Sequence, residues 1–486
     1  MDLQSDVTRP DALEPSAEPG NSSASAPWPS SRQAWYAVVI FSLALAINFL
    51  DRGILTLLIP PIKRDLHLSD TQVSLLIGFA FVIFYLIVGL PIARLVDTRS
   101  RRLIIGTGLA IWSVMTGVCG LARTFWELFA ARVGVGVGEA CNGPATFSMM
   151  ADLFPPEKLS RAIAVLNFGF VLGTGSALLL GGAVVQYVSS LPPIVLPGIG
   201  VMHAWQITFM LVGIPGLLVA MLFTTVLEPV RRAHGSFSTV VALEKTVVES
   251  DAPSAHPAGA RPLQSLPVRT VARFMWDNRA TYGPMFLGLA MNVILAFGVQ
   301  AWVPTFFYRQ YGWTMAQAGW ATGIVLVFTA PFGLMTGSFL SEWLHRRGYA
   351  DADLRVTLIG IVAAIPMSIA FPLMPSGKLA VALLGVQFFI NMLLPGPQNA
   401  ALQIVTPSEM RGQVTAFFLF IFNVVGFGFG PTFVALLTDH VFRSDALLRD
   451  SLATTAVIMG PLAALSIWWG LKAYGQSVVR ARSWTR

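Results

Sequence analysis

The sequence predicts an all-α integral membrane protein with twelve transmembrane helices in two six-helix, pseudo-symmetric bundles. Three observations predict it. Hydrophobic residues make up 55% of the chain and charged residues only 12%, whereas a water-soluble globule carries about 25% charged residues. Mostly apolar stretches long enough to cross the hydrocarbon, roughly 17 to 25 residues, recur along the chain. One long polar stretch divides those segments into two groups of six.

The predicted crossings are residues 34–59, 74–94, 103–123, 126–150, 162–189 and 205–227, then 283–308, 316–340, 355–375, 379–404, 412–438 and 452–474. Pro and Gly are abundant but sit inside these apolar runs, where neighbouring helices can re-satisfy the backbone. The chain thus divides into a tail at 1–33, a first bundle at 34–227, a linker at 228–280, a second bundle at 281–475 and a basic tail at 476–486. The first tail is rich in Pro, Ser and Ala, carries Asp2, Asp6, Asp11, Glu14 and Glu18, and lacks the basic start and cleavage site of a signal peptide. It reads as a disordered cytosolic segment. Most of the 32 Lys and Arg residues fall in loops and tails on the N-terminal side. The positive-inside rule therefore places both termini in the cytosol, with the chain in a plasma or inner (cytoplasmic) membrane.

Within the linker, Pro, Ala, Ser and Gly near 252–267 give the composition of a flexible connector. Beyond them, Val268, Val271, Ala272, Phe274 and Met275 alternate with Arg269, Arg273 and Arg279 at near-helical spacing. This pattern predicts either an amphipathic helix on the inner membrane face or a plain extension of the seventh helix. The run from Pro156 to Arg161 before helix 5 loosely echoes Pro407 to Arg411 before helix 11, as expected of parallel halves.

Several chemistries are excluded. Cys119 and Cys141 lie in apolar segments without Cys or His partners at metal-ligand spacing, so neither a disulfide framework nor a zinc site is expected. The six histidines fall in loops or linker, apart from one another. A net charge of +7 is accounted for by the loops, and no nucleic-acid partner is expected. No phosphate-binding Gly-rich loop occurs, so the chain does not hydrolyse nucleotide. No hydrolase or kinase signature is present either. Neither enzyme activity nor a cofactor is expected, and a monomer is.

Charges inside apolar helices carry the most information, because an ion near mid-bilayer costs at least about 2.5–3.5 kcal/mol and usually faces a cavity or a partner. Asp51, Arg52, Arg132 and Glu139 qualify, all on helices 1 and 4. Asn48 precedes them on helix 1, and the second half offers neutral groups such as Asn292, Gln300 and Asn391. A cavity between the halves would be electrically lopsided. Asp51 and Arg52 are adjacent, about 100° apart on a helix, so they are poor partners for each other, whereas Arg132 and Glu139 share a face. Asp51 and Glu139 are expected to carry protons, with Arg52 and Arg132 switching between these acids and an anionic substrate. The alternative is a permanent set of buried ion pairs that only fixes helix packing.

Four sequence patterns resemble those of one family. Gly89, Ala93, Asp97, Arg101 and Arg102 span the loop between helices 2 and 3, with Ala93 and Thr98 standing where that family usually has Gly and Arg. A weaker counterpart at Gly337, Ser341, Glu342, Arg346 and Arg347 joins helices 8 and 9. Arg132, Gly134, Gly136 and Gly138 recur in helix 4, where glycines admit a close neighbour. Helix 6 opens with Trp205 and continues through Gly213, Pro215 and Gly216. Together they resemble the major facilitator superfamily of secondary transporters. The resemblance implies that Asp97, Arg101 and Arg102 form a cytosolic gate latch; basic residues serving topology alone are the plainer reading. Helix 5 lacks the Gly-Pro pair of many drug and proton antiporters.

Asn48-Phe-Leu-Asp51-Arg52, Gly138-Glu139-Ala140 and Asp152-Leu153-Phe154-Pro155 narrow the resemblance to the spinster-like branch, whose substrates are lysolipids and sphingosine phosphates. That branch implies an amphiphilic anionic or zwitterionic lipid and protons as partners, moved by alternating access, with Asp51 and Glu139 at its proton sites. A wall of ions facing a wall of apolar groups suits such a molecule. Two alternatives stand beside it: an organic anion or cation symporter for a small carboxylate, and a non-transporting ligand sensor or scaffold.

Overall fold

The computed structural model describes residues 28–190, 194–196, 200–230, 267–407 and 410–481. Most of the first tail, the end of the second and most of the linker, including the Pro- and Gly-rich stretch near 252–267, lie outside the described residues.

Nine described helices are each long and apolar enough to cross a bilayer. The fifth crossing is Pro156–Ser190, and the second and fourth are each built from two shorter helices, Asp70–Ile77 with Phe79–Thr98 and Phe125–Glu139 with Asn142–Leu153. The first span, Ser31–Leu66, has 36 residues. At 1.5 Å per residue it is about 54 Å long, well beyond a hydrocarbon core of roughly 30 Å. Its last turns therefore carry Lys63 and Arg64 into the headgroup region. Ser30 caps its start through the Gln33 amide, and His67 ends it in the left-handed region at φ 52°.

Both breaks have packing reasons. At Gly78, φ is −106° and ψ −74°, and a Cβ there would sit 2.4 Å from the Phe427 carbonyl oxygen of the eleventh span. Only glycine admits that approach of one bundle to the other. In the fourth span, a Cβ on Gly138 would lie 2.6 Å from the Trp112 backbone nitrogen, so the glycine run seats this span against the third, Arg101–Cys119. The helix stops one residue later, at Glu139.

The sixth span, Ala204–Thr225, completes the first bundle. The second comprises Arg279–Tyr311, Met315–Arg346, Ala352–Leu373, Gly377–Ile404, Arg411–Phe442 and Asp445–Ala481. The eleventh span opens into wider π-helical turns at Phe422–Phe429 and Leu437–Phe442. Each bundle packs its first helix along a late one, the first on the fifth and the seventh on the twelfth. Between bundles, the fifth lies on the eighth and the second on the eleventh. Large apolar side chains such as Trp126, Phe328, Phe332 and Trp469 remain exposed. On a soluble monomer this would be anomalous; on this fold it is the lipid-facing wall.

Two further elements lie outside the spans. A short hairpin, Ile194–Leu196 paired antiparallel with Gly200–Met202, occupies the loop between the fifth and sixth spans. Val268–Asp277 forms its own helix, separated from the seventh span at Asn278 (φ −101°, ψ 27°).

Candidate functional site

The bundles meet around a partly open cavity lined by residues of both. Phe49, Arg52, Gly53 and Thr56 line it from the first span, at i, i+3, i+4 and i+7 of one helix face. Thr174 and Leu178 join from the fifth span, and Phe297, Gln300, Phe388 and Phe427 come from the second bundle. The wall is mostly apolar, and Arg52 is the one charged group among the described lining residues.

Arg52 reaches from this wall into the first bundle. Its Nη2 and Nε donate to Glu139 Oε2 at 2.8 and 3.2 Å. Its guanidinium lies 5.4 Å from the Phe49 ring centroid and 5.5 Å from that of Phe427, so one cation touches an aromatic face of each bundle. The Arg52 side chain is 18% exposed, whereas that of Glu139 is fully buried. Glu139 leaves its second oxygen, Oε1, without a hydrogen-bond partner.

Asp51 falls on the opposite stripe, turned into the first bundle and buried. Its Oδ2 accepts from the Thr116 hydroxyl at 3.0 Å, and Oδ1 has no partner. Arg132 is equally buried. Its Nε approaches the Leu76 carbonyl at 3.5 Å, and its Nη1 has no partner. Among the described residues Arg132 makes no ion pair with either acid. The structure thus brings Asp51, Arg132 and Glu139 into one buried cluster and carries only Arg52 to the cavity. Arg132, expected to switch between the acids and an anionic substrate, is buried within the first bundle and is not among the described residues that line the cavity. The helical period could place Arg132 and Glu139 on one face, but not say that neighbouring helices bury both.

Of the neutral candidates, Gln300 lines the cavity. Asn48 is buried beside Glu139. Asn292 is buried and Asn391 half-buried, and neither is among the lining residues.

At the face that carries both ends of the described chain, Arg101 is a buried hub. It pairs with Asp152 and with Glu228, the latter at 3.1 Å, and donates to Ser148 and to the Pro229 carbonyl. Arg102 donates its backbone N–H to Glu228 at 2.8 Å and its side chain to the Val226 carbonyl at 3.2 Å. Burial opposes ionisation of Glu228, but the Arg102 amide, the Ser100 hydroxyl and Arg101 outweigh it and hold the carboxyl below its ordinary range. These partners belong to the first bundle and the start of the linker, so Arg101 and Arg102 brace the ends of the third, fourth and sixth spans, with no partner in the second bundle among the described residues. The Asp97 side chain lies outside the described residues. Asp152 and Glu228 were visible in the sequence as a motif residue and a linker start, without any signal that they converge on Arg101.

The opposite face holds a cluster that the sequence reading did not assemble. Arg309 donates to both oxygens of Asp70 at 2.7 Å, and Lys63 bridges Asp70 at 2.7 Å and Asp445 at 2.6 Å. The Thr71 amide and hydroxyl both donate to Asp439 at 2.7 Å. Lys63, Asp70 and Thr71 belong to the first bundle and the others to the second, so this cluster ties the bundles together away from the chain ends. Ser74 and Thr432 add a buried contact at 3.1 Å.

A paired-bundle membrane fold with a seam cavity and a tied far face defines a class, and the comparisons agree: residues 41–473 match the Major Facilitator Superfamily model, and the chain belongs to that family. It is a transporter-family protein, not an enzyme. More specifically, the chain is similar to a crystal structure of a bacterial homologue of the human lysosomal transporter spinster in an inward-facing, unoccupied conformation. The TM-score is 0.73, with 25% identity, covering 93% of this chain and 99% of that one. It is also 27% identical to an MFS-type efflux pump of Mycolicibacterium smegmatis, over 92% of this chain and 95% of the relative. A probable L-galactonate transporter of Escherichia coli is 25% identical, over 84% of each.

Proposed function

We propose that this protein is a proton-coupled secondary transporter of an amphiphilic anionic or zwitterionic lipid of the lysophospholipid or sphingosine-phosphate type. The observation that carries the reading is Arg52: the one cation among the described residues of a mostly apolar and aromatic cavity wall, held by a buried carboxylate that a proton can neutralise. An anionic headgroup competes with Glu139 for Arg52, while the apolar walls from both bundles accept the tail. Protonation of Glu139 releases Arg52 to the cargo, and deprotonation draws it back. Asp51 has no cationic partner within ion-pair distance among the described residues, and an unpaired buried carboxylate charge is costly. A bound proton removes that cost, which makes Asp51 the second proton carrier. Arg132 acts on both acids from within the bundle.

Alternating access follows if the far-face cluster opens as the chain-end face closes, with Asp97, Arg101 and Arg102 setting the closed form of the latter. The positive-inside count places the chain ends in the cytosol, so the tied far face corresponds to an inward-facing form. The protein works as a monomer in this scheme. A small organic carboxylate is the second reading, favoured by the similarity to the L-galactonate transporter and by the guanidinium of Arg52, which suits a carboxylate.

Purified protein in liposomes, offered a lysophospholipid or a sugar acid with and without a pH gradient, tests both. Gradient-dependent movement of the lipid alone supports the first reading. Movement of the sugar acid alone replaces it with the second, and gradient-independent lipid movement removes the proton-coupling part.

A further inference from the structure

The helix Val268–Asp277 carries a pattern that the transport cycle does not use. One side is seated: Val271 is buried, and Phe274 and Met275 pack on the second bundle's core, with the Phe274 ring 6.0 Å from that of Tyr282. The helix lies against the starts of the seventh and eleventh spans, at the face where Arg480 donates to Asn278 at 3.1 Å. The seated stripe is not the whole apolar surface. Val268, Ala272 and Trp276, spaced i, i+4 and i+8, form a second apolar stripe that faces outward, with Val268 75% and Trp276 70% exposed. Beside it Arg269 and Arg273 sit four apart, both exposed and without an ion-pair partner among the described residues. Like charges at that spacing destabilise a helix, unless an anion lies against them. Arg279 adds a third cation, 5.9 Å from the Trp276 ring centroid.

We infer that this face is a docking surface for the bilayer itself, specifically for phospholipids with anionic headgroups in the leaflet at the chain-end face. Charge complementarity commits the occupant: an outward apolar stripe bordered by arginines without an ion-pair partner among the described residues matches acyl chains bordered by phosphates, the arrangement of an interfacial helix. Val268 and Trp276 enter the headgroup boundary, and Arg269, Arg273 and Arg279 hold phosphate oxygens. The break at Asn278 lets the helix turn away from the axis of the seventh span, so the linker is fastened to the membrane where it joins the second bundle. This surface stands apart from the seam cavity and does not depend on what is transported.

The test uses the full chain in nanodiscs of phosphatidylcholine containing a minor share of brominated phosphatidylglycerol or, in parallel, brominated phosphatidylcholine. The fluorescence difference between the wild-type protein and W276F isolates Trp276. Quenching by both lipids, stronger for phosphatidylglycerol, is expected. Each arginine near an anionic surface is worth about fivefold in binding, so R269Q/R273Q, compared with R269Q/R273Q/W276F, should lower that preference by roughly 25-fold. Trp276 quenched by aqueous iodide and not by either lipid would overturn the inference and leave this face bare to water, and quenching by neither would overturn it in favour of cover by an acidic protein segment. Equal quenching by the two lipids, unchanged in R269Q/R273Q, would overturn the anionic part. Both substitution sets are on the surface, and unchanged elution on size exclusion confirms that the fold is intact.

Discussion

Glu139→Gln tests the coupling role proposed for this carboxylate apart from its structural one. Arg52 donates two bonds to Glu139 Oε2, at 2.8 and 3.2 Å. The amide keeps an acceptor oxygen and removes the charge. Breaking a buried ion pair costs about 3–5 kcal/mol when a charge is left stranded. Here the Arg52 side chain is 18% exposed to the cavity and retains an acceptor, so a loss of about 1.5–3 kcal/mol, that of a charged hydrogen bond, is expected. A protein of this size tolerates that loss and should still insert and purify. Function should change far more. A pH gradient of about one unit supplies about 1.4 kcal/mol per coupled proton, enough for tenfold accumulation of cargo. In proteoliposomes, E139Q should exchange labelled cargo across equal pH but fail to concentrate it, so that the accumulation ratio falls from at least about ten, the value for one coupled proton, to about one. Tenfold accumulation by E139Q would refute the assignment of Glu139 as a coupling site.

Three further outcomes follow from contacts described above. Asp51→Asn should cost only about 1 kcal/mol in stability, since Asp51 gives up one bond from Thr116 at 3.0 Å and no ion pair; thermal unfolding checks this, and loss of gradient-driven uptake in the same variant distinguishes a proton carrier from a packing group. Arg309→Gln removes the two 2.7 Å bonds to Asp70, and at about 1.5–3 kcal/mol should shift the bundles roughly 10- to 100-fold toward opening at the far face. Distances between spin labels placed across that face should report the change, and an unaltered distribution would remove the cluster's gating role. Glu228 has its carboxyl held below its ordinary 4.5 in the folded protein, so its contribution is present above about pH 4.5 and is lost as pH falls through the depressed value; Glu228→Gln should abolish that acid limb of the stability profile and lower stability at neutral pH.

Much of the architecture was legible because the bilayer demands it. A spanning helix must be long and apolar, and the twelve crossings can be read from length and composition with errors of several residues at the ends. The separation of Asp51 from Arg52 was equally legible, since adjacent residues cannot share a helix face, and the structure sends one to the cavity wall and the other inward. What the sequence could not reveal depends on contacts between distant segments. The bend at Gly78 exists because the eleventh span's Phe427 carbonyl approaches it, and nothing near residue 78 announces residue 427. The far-face cluster joins Lys63 and Asp70 to Arg309, Asp439 and Asp445, each unremarked alone at a helix end. Asp152 and Glu228 converge on Arg101, and a loop position says nothing about which distant neighbours its side chain will meet.

The placement of every mid-membrane ion in the first bundle has an electrical consequence. The second bundle's apolar cores between its helix ends carry no formal charge, so a transmembrane voltage exerts no net force on them. One elementary charge moved across the full membrane couples to about 2.3 kcal/mol per 100 mV. In the proposed cycle, protonation of Asp51 or Glu139 would change the charge of the first six helices on which the field acts, and the second half would add voltage dependence only through the charge of the cargo it helps to enclose.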